Sequence, residues 1–271
     1  NCSNNRLNAL TILQNNTALE NLLCSSNELQ SLDISNNTLL KILDCSNNQL
    51  KDNSLDISLN KNLENLSCSD NQLSQLVVSA NNLLTNLGVS KNQLKELIVI
   101  SNLQLKYLSC ASNELTSLDI SENRLLESLD VSNNFILDTE LTGLNVTVDL
   151  TSLDISANKF VEIDFSSLTK LKSLKFDNNS FESLDLSTKD SLIVLSCSYN
   201  KLRTINIRNG KNSNLTYFNT LYNPKLYCIQ VDDAFVPNGA TSGWLKDDFA
   251  FYNSAMCQNL TYVPDAIFET Y

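Results

Sequence analysis

The stretch LENLSCSDNQLSQLVVSANNLL, Leu63 to Leu84, decides the fold. It holds one cysteine in a frame of leucines and asparagines, and the same frame surrounds Cys24 and Cys45 earlier in the chain. Written out, the frame is L-x-x-L-x-C-x-x-N-x-L followed by x-x-L-D-I-S-x-N-x-x-L. Its first half places Cys24, Cys45, Cys68, Val89, Cys110, Val131, Ile155, Phe176 and Cys197 at one phase, mostly 21 residues apart. The second half places Ile34, Ile57, Val78, Val99, Ile120, Phe165, Leu186 and Ile207 at another. Internal repetition over such a length outranks every other signal.

Each half, turn included, is too short for the average helix of about 11 residues. Within LSCS and LDIS the apolar residues alternate, as in a strand with one buried face. Both halves are therefore expected to be short strands. A single coil cannot bury its leucines alone, so coils stack at the ~4.8 Å strand spacing. The expected architecture is a right-handed leucine-rich repeat β-solenoid, or horseshoe, of about ten 21-residue coils, with a parallel sheet and little helix.

Five glycines and three prolines are few for 271 residues, so asparagine and serine must make the turns. Asparagine closes nearly every half: Asn27, Asn37, Asn48, Asn60, Asn71, Asn92, Asn102, Asn113, Asn123, Asn134, Asn158 and Asn200. Stacked turns bury backbone groups that need partners, and a side-chain amide supplies both donor and acceptor. These residues read as a structural ladder.

The cysteines Cys24, Cys45, Cys68, Cys110 and Cys197 share their position with valine, isoleucine and phenylalanine, so the site is used for apolar volume. With Cys2 they read as a buried cysteine ladder of small hydrophobes. No C-x2-C spacing points to zinc. Cys228 and Cys257 lie outside the repeat and bracket the only tryptophan. They read as a disulfide closing the last coil in an oxidising compartment, or else as two more buried thiols. A loop of that size is worth about 3–4 kcal/mol in the chain-entropy account.

A formal charge of -11 argues against nucleic acid and anionic membranes as partners. No apolar run approaches the ~18 residues that span a bilayer, so membrane insertion is not expected. Histidine is absent, which removes the usual general base and the histidine-assisted nucleophiles. No catalytic residues, metal or cofactor are expected.

The frame resembles the internalin-type leucine-rich repeats, in particular the internalin J-like branch with its cysteine ladder. The resemblance covers about Cys2 to Leu226. It implies a secreted or surface-displayed bacterial protein whose curved sheet binds another protein, in adhesion to host or neighbouring cells. It also implies a division into a solenoid over 1–225 without its N-terminal cap, a C-terminal cap over 226–258, and a linker or start of a further module over 259–271. The closing LYCIQVDD resembles the cap of secreted bacterial repeat proteins, and TYVPDAIFETY the opening of another such module. Further repeat modules of the same chain would then follow. The alternatives are a structural spacer in a multi-module surface protein, or a carbohydrate-binding module.

A site is sought where the repeat breaks its own rules. Outward positions of the first-half strands vary most, with Leu23, Ile42, Tyr107, Lys175, Val194 and Tyr217 as candidate ligand contacts. In the second halves the outward pair is usually Asp and Ser, as at Asp33/Ser35, Asp56/Ser58, Asp119/Ser121 and Asp185/Ser187. Val77, Ile98 and Ile100 replace that pair and predict an exposed apolar patch. The aspartate column either solvates its face or gathers calcium or a basic partner. The insertions at 133–150 and 207–214 are loops that touch a ligand or are neutral.

Overall fold

The computed structural model describes residues 1–233 and 243–257. The proposed module start at 259–271 lies outside them, as does part of the cap. The first halves form one parallel sheet of eleven strands, from Asn21–Leu23 through Asn86–Gly88, Ser152–Asp154 and Tyr217–Asn219 to Trp244–Leu245. Eleven rungs therefore stand where about ten coils were expected, because Trp244–Leu245 pairs with Phe218–Asn219 and extends the sheet past Leu226. No α-helix occurs among the described residues; four short 3-10 turns do.

Register follows from the repeat. Leu22 lies opposite Leu43, Leu43 opposite Leu66, and Leu66 opposite Leu87, each central residue of a three-residue strand. These leucines point inward and are 1–5% exposed. A fully buried leucine contributes about 1.5–3 kcal/mol by leaving water. A one-residue slip would turn every one of them outward, so the register is strongly fixed.

The second halves depart from expectation. Ladders form only between Leu118–Asp119 and Leu141–Thr142, and among Ser183–Asp185, Thr204–Asn206, Cys228–Gln230 and Phe251–Asn253. Leu32 and Leu55 make a lone bridge, and the remaining second halves are extended but unpaired. In those coils the ladder asparagine of the next coil takes the carbonyl instead. Asn60 donates to Ile34, Asn81 to Ile57, Asn102 to Val78 and Asn123 to Val99 at 3.0–3.1 Å. Once the column changes to Thr147, Leu168 and Lys189, this amide bridge is lost, with Lys189 reaching Ser166 O instead, and backbone pairing appears at both ends of that stretch. The first-half sheet is thus the side that pairs from rung to rung through the described stack.

The first asparagine column is a full ladder. Asn48 Nδ2 donates to Cys45 O at 3.0 Å and to Cys24 O at 3.1 Å, while its Oδ1 accepts from Leu29 N at 3.0 Å. Asn71, Asn92, Asn113 and Asn134 repeat the pattern, as do Asn179 and Asn223, two members the sequence reading did not include. One residue before each, the backbone enters the left-handed region, as at Asn47, Asp70, Ala157 and Tyr199.

Candidate functional site

The concave sheet forms a trough of about 570 Å³ that runs from the Ile42–Asp44 strand across Asn86–Gly88 to Lys175. Ile42 and Tyr107 stand on its wall, 37% and 45% exposed, and Lys175 closes one end. Leu23, Val194 and Tyr217 occupy the same sheet but flank the trough instead of lining it. Tyr217 is 37% exposed, whereas Leu23 and Val194 are half-buried. The structure thus brings three of the six candidate contacts into one cavity.

The third residue of each strand forms the column that carries the carboxylates. Asp44, Asp130 and Asp154 each accept an N–H from the serine two residues on, at 3.0–3.1 Å. Asp154 is the least comfortable of them. Its burial and the neighbouring Asp130 push its carboxyl above the usual range, and Lys175, 3.7 Å away, only partly offsets this. Tyr107 donates its hydroxyl to Glu127 Oε2 at 3.0 Å, which raises the phenol and depresses the carboxyl. The ring therefore leans along the sheet toward the next coil.

On the opposite face Val77, Ile98 and Ile100 are 71%, 53% and 44% exposed. Val77 and Ile98 line a smaller groove of about 330 Å³ between their coils, and Ile100 lies outside it. The aspartates around them are committed to their own backbone. Asp33, Asp56, Asp119 and Asp185 accept from Ser35, Ser58, Ser121 and Ser187 N–H at 2.9–3.0 Å. These bonds hold Asp33, Asp56 and Asp119 below the ordinary carboxylate range. No group of three or more His, Cys, Asp or Glu arranged for a metal occurs among the described residues.

The cysteine column is dry. Cys24, Cys45, Cys68, Cys110 and Cys197 are wholly buried, and burial pushes Cys24 and Cys68 up to about 12. Cys2 differs from the reading as core: it is only half-buried, because it lies on the first rung with a neighbour on one side. Cys228 and Cys257 are joined by a disulfide, Cα atoms 5.8 Å apart.

The sequence reading counted Tyr199 with Tyr107 and Tyr217 as the aromatics open to a sugar, but it missed two features. Tyr199 and Tyr222 hold the left-handed turn position in adjacent coils and stack 4.1 Å apart, about half exposed. Their signal was tyrosine at a position that asparagine, serine or aspartate usually fills. Lys189 sits in the second asparagine column, 1% exposed, donating to Ser166 O at 3.2 Å. Desolvation lowers its amine. A lysine in phase with Asn37 and Asn60 was the available clue.

No family model matches the sequence, and no match was found among curated proteins. Among solved structures, the functional domain of InlJ from Listeria monocytogenes, which includes a cysteine ladder, is similar at 28% identity and a TM-score of 0.71 over 91% of this chain. The internalin InlF from the same organism aligns at 23% identity and 0.67 over 90%, covering 78% of that chain. A leucine-rich repeat protein of Leptospira interrogans aligns at 22% and 0.68 over 80%. This chain spans 62% of the InlJ chain and 61% of the Leptospira one. Its structural neighbours are internalin-type leucine-rich repeat proteins, and its own fold is a parallel-sheet β-solenoid of that kind. No helix among the described residues is long and apolar enough to cross a membrane.

Proposed function

We propose that this leucine-rich repeat solenoid is a secreted or cell-surface module that engages a protein through its concave sheet, in adhesion to a host or neighbouring cell. One observation carries the reading. The inward positions repeat almost without change, while the outward positions of the same strands vary and gather Ile42 and Tyr107 on the wall of an open trough. Burial demands the first pattern; nothing in the fold demands the second. Tyrosine is a frequent anchor at protein interfaces. The Cys228–Cys257 disulfide supports an oxidising compartment.

A second reading, a spacer within a longer surface protein, draws on the serines Ser128, Ser152 and Ser173, which make three successive rungs of the sheet plain and polar. Capture of proteins from candidate cell surfaces, comparing wild type with Tyr107→Ala/Tyr217→Ala, separates the two. A protein held by wild type and lost by the folded variant is the expected result. Equal retention, or no capture, would leave the spacer reading in place.

A further inference from the structure

Gly88 is the third residue of its strand, where the other strands of three residues present a side chain to the concave face: Asp44 and Ser67 on one side, Ser109 and Asp130 on the other. The fold does not require glycine there. Its φ lies outside the left-handed region, and a Cβ would rest 3.4 Å from Ser69 Oγ and 3.6 Å from Ser67 Oγ, ordinary contact. Gly143 is the contrast: φ is +95° and a Cβ would collide with the backbone of Ser121, so no other residue fits. Glycine inside a strand weakens it and often marks close approach by another backbone. At position 88 what glycine gains is open space, the floor of the trough.

The surroundings say what could use that space. Asp44 and Asp130 each stand two rungs from Gly88 in opposite directions, about 10 Å at the strand spacing. Each commits Oδ1 to its serine, and Oδ2 of each has no hydrogen-bond partner within the described chain. Asp154 adds a third carboxylate one rung further, against the single ammonium of Lys175. The trough is thus acidic on both sides of Gly88, with Lys175 beyond Asp130 at one end, and open over Gly88 itself.

We infer that the trough seats an extended basic segment of a protein partner, laid along the stack with a small residue over Gly88 and lysine or arginine side chains at Asp44 and Asp130. The two carboxylates are about 20 Å apart, which about six extended residues span at 3.3 Å each. The inference rests on the concave-face reading above and names the chemistry of the partner.

Hexalysine, fluorescently labelled and titrated at low salt by anisotropy, is the probe. Asp44→Asn/Asp130→Asn and Gly88→Leu are each expected to weaken its binding about tenfold, with the wild-type affinity falling as salt rises. Asp33→Asn/Asp56→Asn, which removes two charges from the opposite face, is expected to change it by less than about twofold. Equal weakening by the two charge pairs, or undiminished binding to Gly88→Leu, would overturn the inference. Should Gly88→Leu fail to fold, Gly88→Ser copies the neighbouring rungs and is read for the same direction. If hexalysine ignores these variants while cell-surface capture still depends on Tyr107 and Tyr217, the basic segment falls and the concave-face reading stands.

Discussion

At the scale of single residues, the asparagine ladder is the most exacting feature. Asn71 donates to Cys68 O and Cys45 O and accepts from Leu50 N, so truncation orphans several buried groups at once. Asn71→Ala is expected to lower unfolding free energy by about 3 kcal/mol in urea melts, since each unsatisfied buried group costs about 1–3. The left-handed column offers the reverse test. Ala157 holds φ +51° with neither glycine's freedom nor an asparagine side chain, so Ala157→Asn should stabilise by about 0.5–1 kcal/mol. Asp154 gives a pH test. Its folded carboxyl is raised by burial, so the folded state is favoured below the unfolded value of ~3.9 and penalised once the group ionises. Asp154→Asn should therefore raise the melting temperature at pH 7, and the gain should vanish below about pH 3. A gain that persists in acid would show that packing and not charge is responsible.

At the scale of elements, a three-residue strand with one buried leucine has little stability of its own; it exists because a rung lies on either side. This is why the cysteine phase reads as packing: Val89 and Val131 take the same place as Cys68 and Cys110 without any change in register. Alkylation of the native protein at pH 8, read by mass spectrometry, should label Cys2 and spare the five buried thiols, which react only after unfolding. Labelling of Cys45 in the native state would mean the stack opens locally. The second-half segments were legible as extended chain but not as unpaired chain. Period-2 alternation in LDIS reports one buried face, and an extended segment bonded through Asn60 or Asn81 buries the same face as a true ladder strand.

At the scale of the molecule, coils contact only their neighbours, so closing the last one matters more than its length suggests. Cys257→Ser removes a cross-link spanning 29 residues and is expected to cost about 3–4 kcal/mol in equilibrium unfolding, with loss first at the C-terminal coils. The sequence by itself determined the coil, its register, the buried leucine and cysteine columns and the asparagine ladder. Each is periodic, and a repeated environment writes a repeated residue. Only the tertiary structure decided which half pairs throughout, because that choice turns on whether the carbonyls of Ile34 and its successors bond to side chains or to backbone. Tertiary structure likewise gathered Ile42, Tyr107 and Lys175 into one trough and set Val194 and Tyr217 beyond it, since a trough is a property of several rungs side by side. The meaning of Gly88 also waited for the fold: a glycine in sequence looks like a turn, and only the space around its Cα shows that the chain did not need one there.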